Sequence, residues 1–124
     1  MLQYITIYFY LCTIGMERKV FAYKNYFLDF ISTLNEDASK KVFYSIDMLK
    51  TQNRISRKFA KYIRDGLYEL RAEYEGNIYR VFFCFDEGNI VILFNGFQKK
   101  SQQTPESEIR QAIKLKNEYY ESKR

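Results

Sequence analysis

Histidine and tryptophan are absent from the chain, cysteine occurs twice, proline once and glycine five times. Without histidine, neither a Ser-His-Asp or Cys-His nucleophile nor a histidine-bearing metal site can be built. Cys12 and Cys84 lie far apart and form no CxxC pair. Two cysteines alone complete neither a structural zinc site nor a disulfide framework, so a cytoplasmic compartment is the simplest reading. The scarcity of proline and glycine excludes collagen-like and linker-type chains. Charge is absent from MLQYITIYFYLCTIG, residues 1–15. That stretch is too short for a membrane-crossing helix, which needs ~20 apolar residues, and it lacks the basic start and cleavage site of a signal peptide. Its Ile, Thr, Tyr and Phe content favours a strand. Alternatively Met16 is the true start, with 1–15 an uncharged extension ahead of a domain at 16–124.

What is present fits one folded domain. The 124 residues are 47% hydrophobic and 28% charged, values that exclude intrinsic disorder as the main state. Tyr and Phe bring the aromatic share to 19%, and such residues favour half-buried strands and flat contact surfaces. The net charge is +5. Residues 50–71 carry Lys50, Arg54, Arg57, Lys58, Lys61, Arg64 and Arg71 against Asp65 and Glu69, a local excess equal to that of the whole chain. A concentrated basic segment points to an anionic partner, nucleic acid first. A solvated basic face is the alternative for any charge run taken alone.

Along the chain, residues 18–23 (RKVFAY) read as a first strand. Asn25 caps a short helix with Phe27, Phe30, Ile31 and Leu34 on its apolar side. Asn35 caps a second helix, with Ala38, Val42, Ile46 and Leu49 on one face at spacings of three and four. After Asp65-Gly66 the period becomes two: Tyr68, Leu70, Ala72 and Tyr74 alternate with Glu69, Arg71, Glu73 and Glu75, as in a half-buried antiparallel strand. Glu75-Gly76-Asn77-Ile78 signals a tight turn, residues 78–85 a second strand, Asp86–Asn89 another turn and residues 90–94 an apolar third strand. Thr104 as N-cap and Pro105 at the first helical position start a last helix whose apolar face is Ile109, Ala112, Ile113 and Tyr120. The expected fold is α+β in the order β-α-α-β-β-β-α, an antiparallel sheet with helices packed on one face.

Several of these segments resemble the RelE/ParE superfamily of bacterial type II toxins, and most closely its phage-derived, HigB-like branch. The resemblance rests on Asp65–Arg71 (DGLYELR), Tyr79-Arg80-Val81, Phe94–Lys100 (FNGFQKK) and Thr104-Pro105 before a helix, in that order. It covers roughly residues 16–120. It implies a RelE-like fold and a small cytoplasmic toxin that cleaves mRNA, usually on the ribosome. It also implies a cognate antitoxin, typically of helix-turn-helix type, as partner beside mRNA and ribosomal RNA, with no membrane and no cofactor.

RNA cleavage without a metal uses the substrate's own 2′-OH as nucleophile. It needs a base for that hydroxyl, cations around the phosphate and a proton donor for the leaving 5′-oxygen. Arginine suits the phosphate because its planar fork binds two oxygens. By alternation Glu69, Arg71 and Glu73 share a sheet face. With Gly76-Asn77 as a two-residue turn, Glu73 lies opposite Arg80 and Arg71 is diagonal to it. From residues alone, a Glu73–Arg80 ion pair of under ~1 kcal/mol is an adequate reading. The resemblance assigns Arg80 to the scissile phosphate, with Arg71 beside it and Glu73 as the candidate base. Lys99 and Lys100 follow as backbone-phosphate contacts. Arg54, Arg57, Lys58, Lys61 and Arg64 fit ribosomal RNA. Some relatives carry His or a late Tyr at the site. Here Pro105 stands near that loop end, and Tyr119 and Tyr120 read as helix packing. Two alternatives accompany the nuclease: a ParE-type gyrase poison without nuclease activity, and a degenerate toxin acting as co-repressor.

Overall fold

The structure is a computed structural model that describes residues 17–123. The uncharged extension and Cys12 lie outside the described residues. Strand β1 (Lys19–Ala22) leads into helices α1 (Tyr26–Ser32) and α2 (Glu36–Thr51). Four strands follow: β2 (Ala60–Arg64), β3 (Leu67–Tyr74), β4 (Asn77–Asp86) and β5 (Ile90–Lys99). Helix α3 (Glu106–Ser122) closes the fold. The sheet order is β1-β5-β4-β3-β2.

The fold is α+β, with three corrections of detail. First, the sheet is mixed: β1 runs parallel to β5, and the other pairs are antiparallel. The α1–α2 hairpin carries the chain across the sheet, so β1 and the meander meet without a direct turn between them. Second, β2 lies inside the basic segment. Asp65 and Gly66 both take positive φ (53° and 77°) and join β2 to β3 in a two-residue hairpin loop. Third, helices cover both faces. On one face Phe27 and Phe30 of α1 and Ala38, Val42, Ile46 and Leu49 of α2 pack on Leu70, Val81, Phe83 and Leu93. On the other, Ile109, Ala112 and Leu115 of α3 pack on Leu67, Phe82, Ile92 and Phe94. The central strands are apolar on both sides and therefore need two covers. Burying Phe82, Phe83 and Phe94 fully is worth ~2 kcal/mol each relative to exposure.

Local signals act as their chemistry dictates. The Asn35 side chain accepts a hydrogen bond from the Ala38 N–H at 2.8 Å and caps α2. Asn25 precedes α1 without a side-chain cap. At the far end of α2 the Arg18 guanidinium donates to the carbonyls of Leu49 (2.9 Å), Gln52 (2.5 Å) and Asn53 (3.1 Å). Carbonyls left over at a helix end are thereby satisfied by a residue that precedes β1. Strand β5 extends five residues beyond the expected Phe94, and the β4–β5 ladder shifts register between Val81 and Phe83. The bulge permits Gly96 to lie against α1: a Cβ there would sit 2.3 Å from the Phe30 ring.

Candidate functional site

The β3–β4 hairpin turns one residue earlier than its sequence suggests, which moves each cross-strand partner by two. Tyr74 pairs with Asn77, and Glu75 and Gly76 take the two positive-φ turn positions. Every partner shifts accordingly. Arg80 stands opposite Arg71, while Glu73 stands opposite Ile78. The expected Glu73–Arg80 pair is therefore replaced by Arg71–Glu73 (3.0 Å) and Glu69–Arg80 (2.5 Å).

Three cross-strand rows now share the α3 side of the sheet. Lys61 faces Glu69; Arg71 faces Arg80, which in turn faces Phe97; and Glu73 faces Ile78, which faces Lys99. The β5 bulge decides the last column. Ile92 and Phe94 point toward α3, and after the extra residue the phase moves to Phe97 and Lys99. Four cations, Lys61, Arg71, Arg80 and Lys99, gather around Glu69 and Glu73 at one end of the sheet.

Arg80 is buried, with a side chain 8% exposed, contrary to the open charged face expected of it. The reason is α3, which roofs this face. Its partner Glu69 is 1% exposed. Glu69 Oε1 and Arg80 Nε are in close ionic contact without hydrogen-bond alignment. The second oxygen, Oε2, accepts a hydrogen bond from the Thr104 hydroxyl at 2.9 Å. Thr104 therefore does not cap α3. Pro105 occupies the N-cap position, and the threonine ties the helix start to the buried carboxylate. Burial lowers the Arg80 pKa, opposed by Glu69 and assisted by Arg71. Lys99 is also lowered, first by partial burial, then by the neighbouring Arg80, with Lys61 and Arg71 adding to it.

The remaining candidates divide. Arg54, Arg57, Lys58 and Lys61 are exposed and border the β2 edge. Arg64 instead makes a two-pronged ion pair with Glu106 in the first turn of α3. Lys100 is exposed beyond the end of β5. Glu69 and Thr104 are not among the site residues expected from sequence, where Thr104 reads only as the N-cap of the last helix and part of the Thr104-Pro105 motif. The signal for Glu69 was a carboxylate two residues from Arg71 on the same strand face; for Thr104 there was none.

At the opposite end of α3 a second polar group anchors the helix. Asp86 accepts from the Tyr119 hydroxyl and pairs with Lys123, both at 2.5 Å, and the Tyr120 hydroxyl donates to the Phe85 carbonyl at 2.7 Å. Lys123 and then Tyr119 hold the Asp86 carboxyl below its ordinary value. Burial and then Asp86 push Tyr119 up to about 12. These tyrosines pack the helix, as expected. Cys84 is buried and free beneath them. Among the described residues no cluster of metal-ligating side chains occurs, and no helix is long and apolar enough to cross a membrane.

The α+β fold with its mixed five-stranded sheet is compatible with a RelE-like fold, that of the RelE/ParE-like toxin superfamily. Within it the chain belongs to the family described as phage derived protein Gp49-like (DUF891), whose family model matches residues 29–117. No curated protein matches the chain. The matched span runs from α1 into α3 and contains every residue of the cluster.

Proposed function

We propose that the protein is the toxin of a bacterial type II toxin–antitoxin system and cleaves mRNA on the ribosome without a metal, thereby inhibiting translation. The observation that carries this reading is the convergence of Lys61, Arg71, Arg80 and Lys99 on one sheet end. Four cations against Glu69 and Glu73 leave an excess that a phosphodiester would neutralise.

Arg71, with 37% of its side chain exposed, reaches solvent and binds the scissile phosphate. Arg80 lies beneath it, held by Glu69, and supplies fixed positive charge to the pentavalent phosphorus. Glu73, 56% exposed, takes the proton from the 2′-OH. The 2′-oxygen attacks phosphorus and the bond to the 5′-oxygen breaks. The Lys99 ammonium, disfavoured first by partial burial and then by its cationic neighbours, gives its proton to that leaving oxygen. The products are a 2′,3′-cyclic phosphate and a 5′-hydroxyl end. Arg54, Arg57, Lys58 and Lys61 carry the salt-dependent attraction to ribosomal RNA, and Lys100 adds a contact to the RNA backbone. The neutralising partner is an antitoxin of helix-turn-helix type, and the site of action is the cytoplasm.

Single-turnover cleavage of mRNA on programmed ribosomes tests the reading, with primer extension locating the cuts. Cuts within codons that Arg71→Ala abolishes are the expected result. Inhibited gyrase with intact mRNA would replace it by the binding-toxin reading. Unimpaired growth on expression, with abundant folded protein, would leave only the co-repressor.

A further inference from the structure

On the α2 side of the sheet, a groove of about 480 Å³ runs between α2 and β3. Lys41 and Tyr44 of α2 form one wall, Lys58 and Phe59 the end, and Arg71 and Glu73 the other wall. Tyr74 and Glu75 complete the rim. Tyr44 is 52% exposed, an unusual setting for so large a ring, and it meets Phe59 edge-on with ring centroids 6.0 Å apart. The Lys58 ammonium lies 5.8 Å from the Phe59 ring. Beneath them the Ser45 hydroxyl donates to the Arg71 carbonyl at 2.7 Å and fixes α2 against β3. Helix α2 and strand β3 thus form the two walls, and the turn before β2 closes the end.

We propose that this groove binds one unpaired nucleotide of the RNA next to the cleaved bond. The base stacks on Tyr44, and its flanking phosphates meet Lys41 and Lys58. This rests on the nuclease reading, which it deepens by assigning a subsite. Three features select this occupant. The groove borders the cationic cluster across the β3 edge, because Arg71 and Glu73 line it while their side chains share the α3 face with the cluster. Its volume suits a mononucleotide, within the ~300–1,000 Å³ common for ligand sites. It pairs an exposed aromatic face with lysines, the combination that holds single strands irrespective of sequence. Glu75 at the rim supplies an acceptor for an exocyclic amino group of the base. A peptide strand fits less well. The β2 ladder on β3 runs to Leu70, followed by the Arg71 N–H to Phe59 carbonyl bond, so only Ala72–Tyr74 offers a free edge.

The chain has no tryptophan, so Tyr44→Trp in the full chain gives a single reporter in the groove. The probe is a hexaribonucleotide with 2′-O-methyl groups, whose blocked hydroxyls cannot attack. Binding is expected to quench the reporter. Tyr44→Ala is expected to weaken affinity about tenfold, the effect of losing one stacked base. Lys41→Gln and Lys58→Gln should each lower the slope of log affinity against log salt by about 0.7. Oligonucleotide binding with neither quenching nor a Tyr44→Ala effect overturns the groove, and leaves the nuclease reading intact if wild-type protein still cuts mRNA. Quenching by an acidic peptide but not by the oligonucleotide also overturns it and makes the groove a protein site. Quenching without mRNA cleavage supports the groove and removes the nuclease reading.

Discussion

Glu69 Oε1 lies 2.5 Å from Arg80 Nε in a site where the two side chains are 1% and 8% exposed. A buried pair of this kind contributes little compared with an apolar pair of the same volume, yet breaking it leaves one charge stranded. The pair therefore sets the order of the cationic cluster more than it stabilises the fold.

Removing one partner should cost most. Glu69→Ala and Arg80→Ala are each expected to lose ~3–5 kcal/mol in urea denaturation. Glu69→Leu combined with Arg80→Met should recover most of that loss. If both single variants melt like wild type, the contact carries no structural role.

Arg71 and Lys99 should behave differently, because their positions are more open. The Arg71–Glu73 pair is worth under ~1 kcal/mol at this exposure. Arg71→Ala and Lys99→Met should keep the wild-type melting temperature within a few degrees. Cleavage should fall ~10²–10³-fold in single-turnover assays, the usual effect of losing one group that stabilises transition-state charge. Unchanged rates would move the reacting phosphate elsewhere.

The anchor at the end of α3 should respond to pH at both extremes. Asp86 is held below its ordinary carboxylate value by Lys123 and Tyr119. Its contribution is present above the ordinary value and is lost as pH falls through the lowered one. Tyr119 is raised to about 12, so its contribution holds below its ordinary value near 10 and disappears as pH rises through about 12. Asp86→Asn should remain folded at pH 7 and show a smaller loss of melting temperature between neutral and acid pH than wild type. Equal acid sensitivity in the two proteins would show that Asp86 is not the responsible carboxyl.

Gly96 should not accept a side chain. The Cβ of Gly96→Ala would lie 2.3 Å from a Phe30 ring carbon. Overpacking of this type costs ~1–3 kcal/mol. Phe30→Leu in the same chain should restore part of the loss, as read by denaturant midpoint. Additive losses would mean that the two positions do not meet.

The sequence by itself determined the class of the fold and most of its elements, because each rests on a local rule. Apolar residues of α2 recur every three or four positions, β3 alternates, and the glycine-bearing segment after Tyr74 marks that a turn follows. The residue types of the site were equally legible: an excess of Arg and Lys over residues 50–71 and no histidine to perform the proton transfers. Strand β2 carries no alternation in the sequence, because its edge position exposes both Lys61 and Tyr62. Tertiary structure alone decided which charges meet. A hairpin turning at Glu75-Gly76 instead of one residue later moved the partner of Arg80 from Glu73 to Arg71. One extra residue in β5 brought Lys99, and not Lys100, to the face of Arg80. Helix α3, crossing from outside the meander, then buried Arg80 with Glu69 and brought Thr104 to the free carboxylate oxygen. Register, bulge and roof depend on contacts between segments far apart in the chain, and no local preference encodes them.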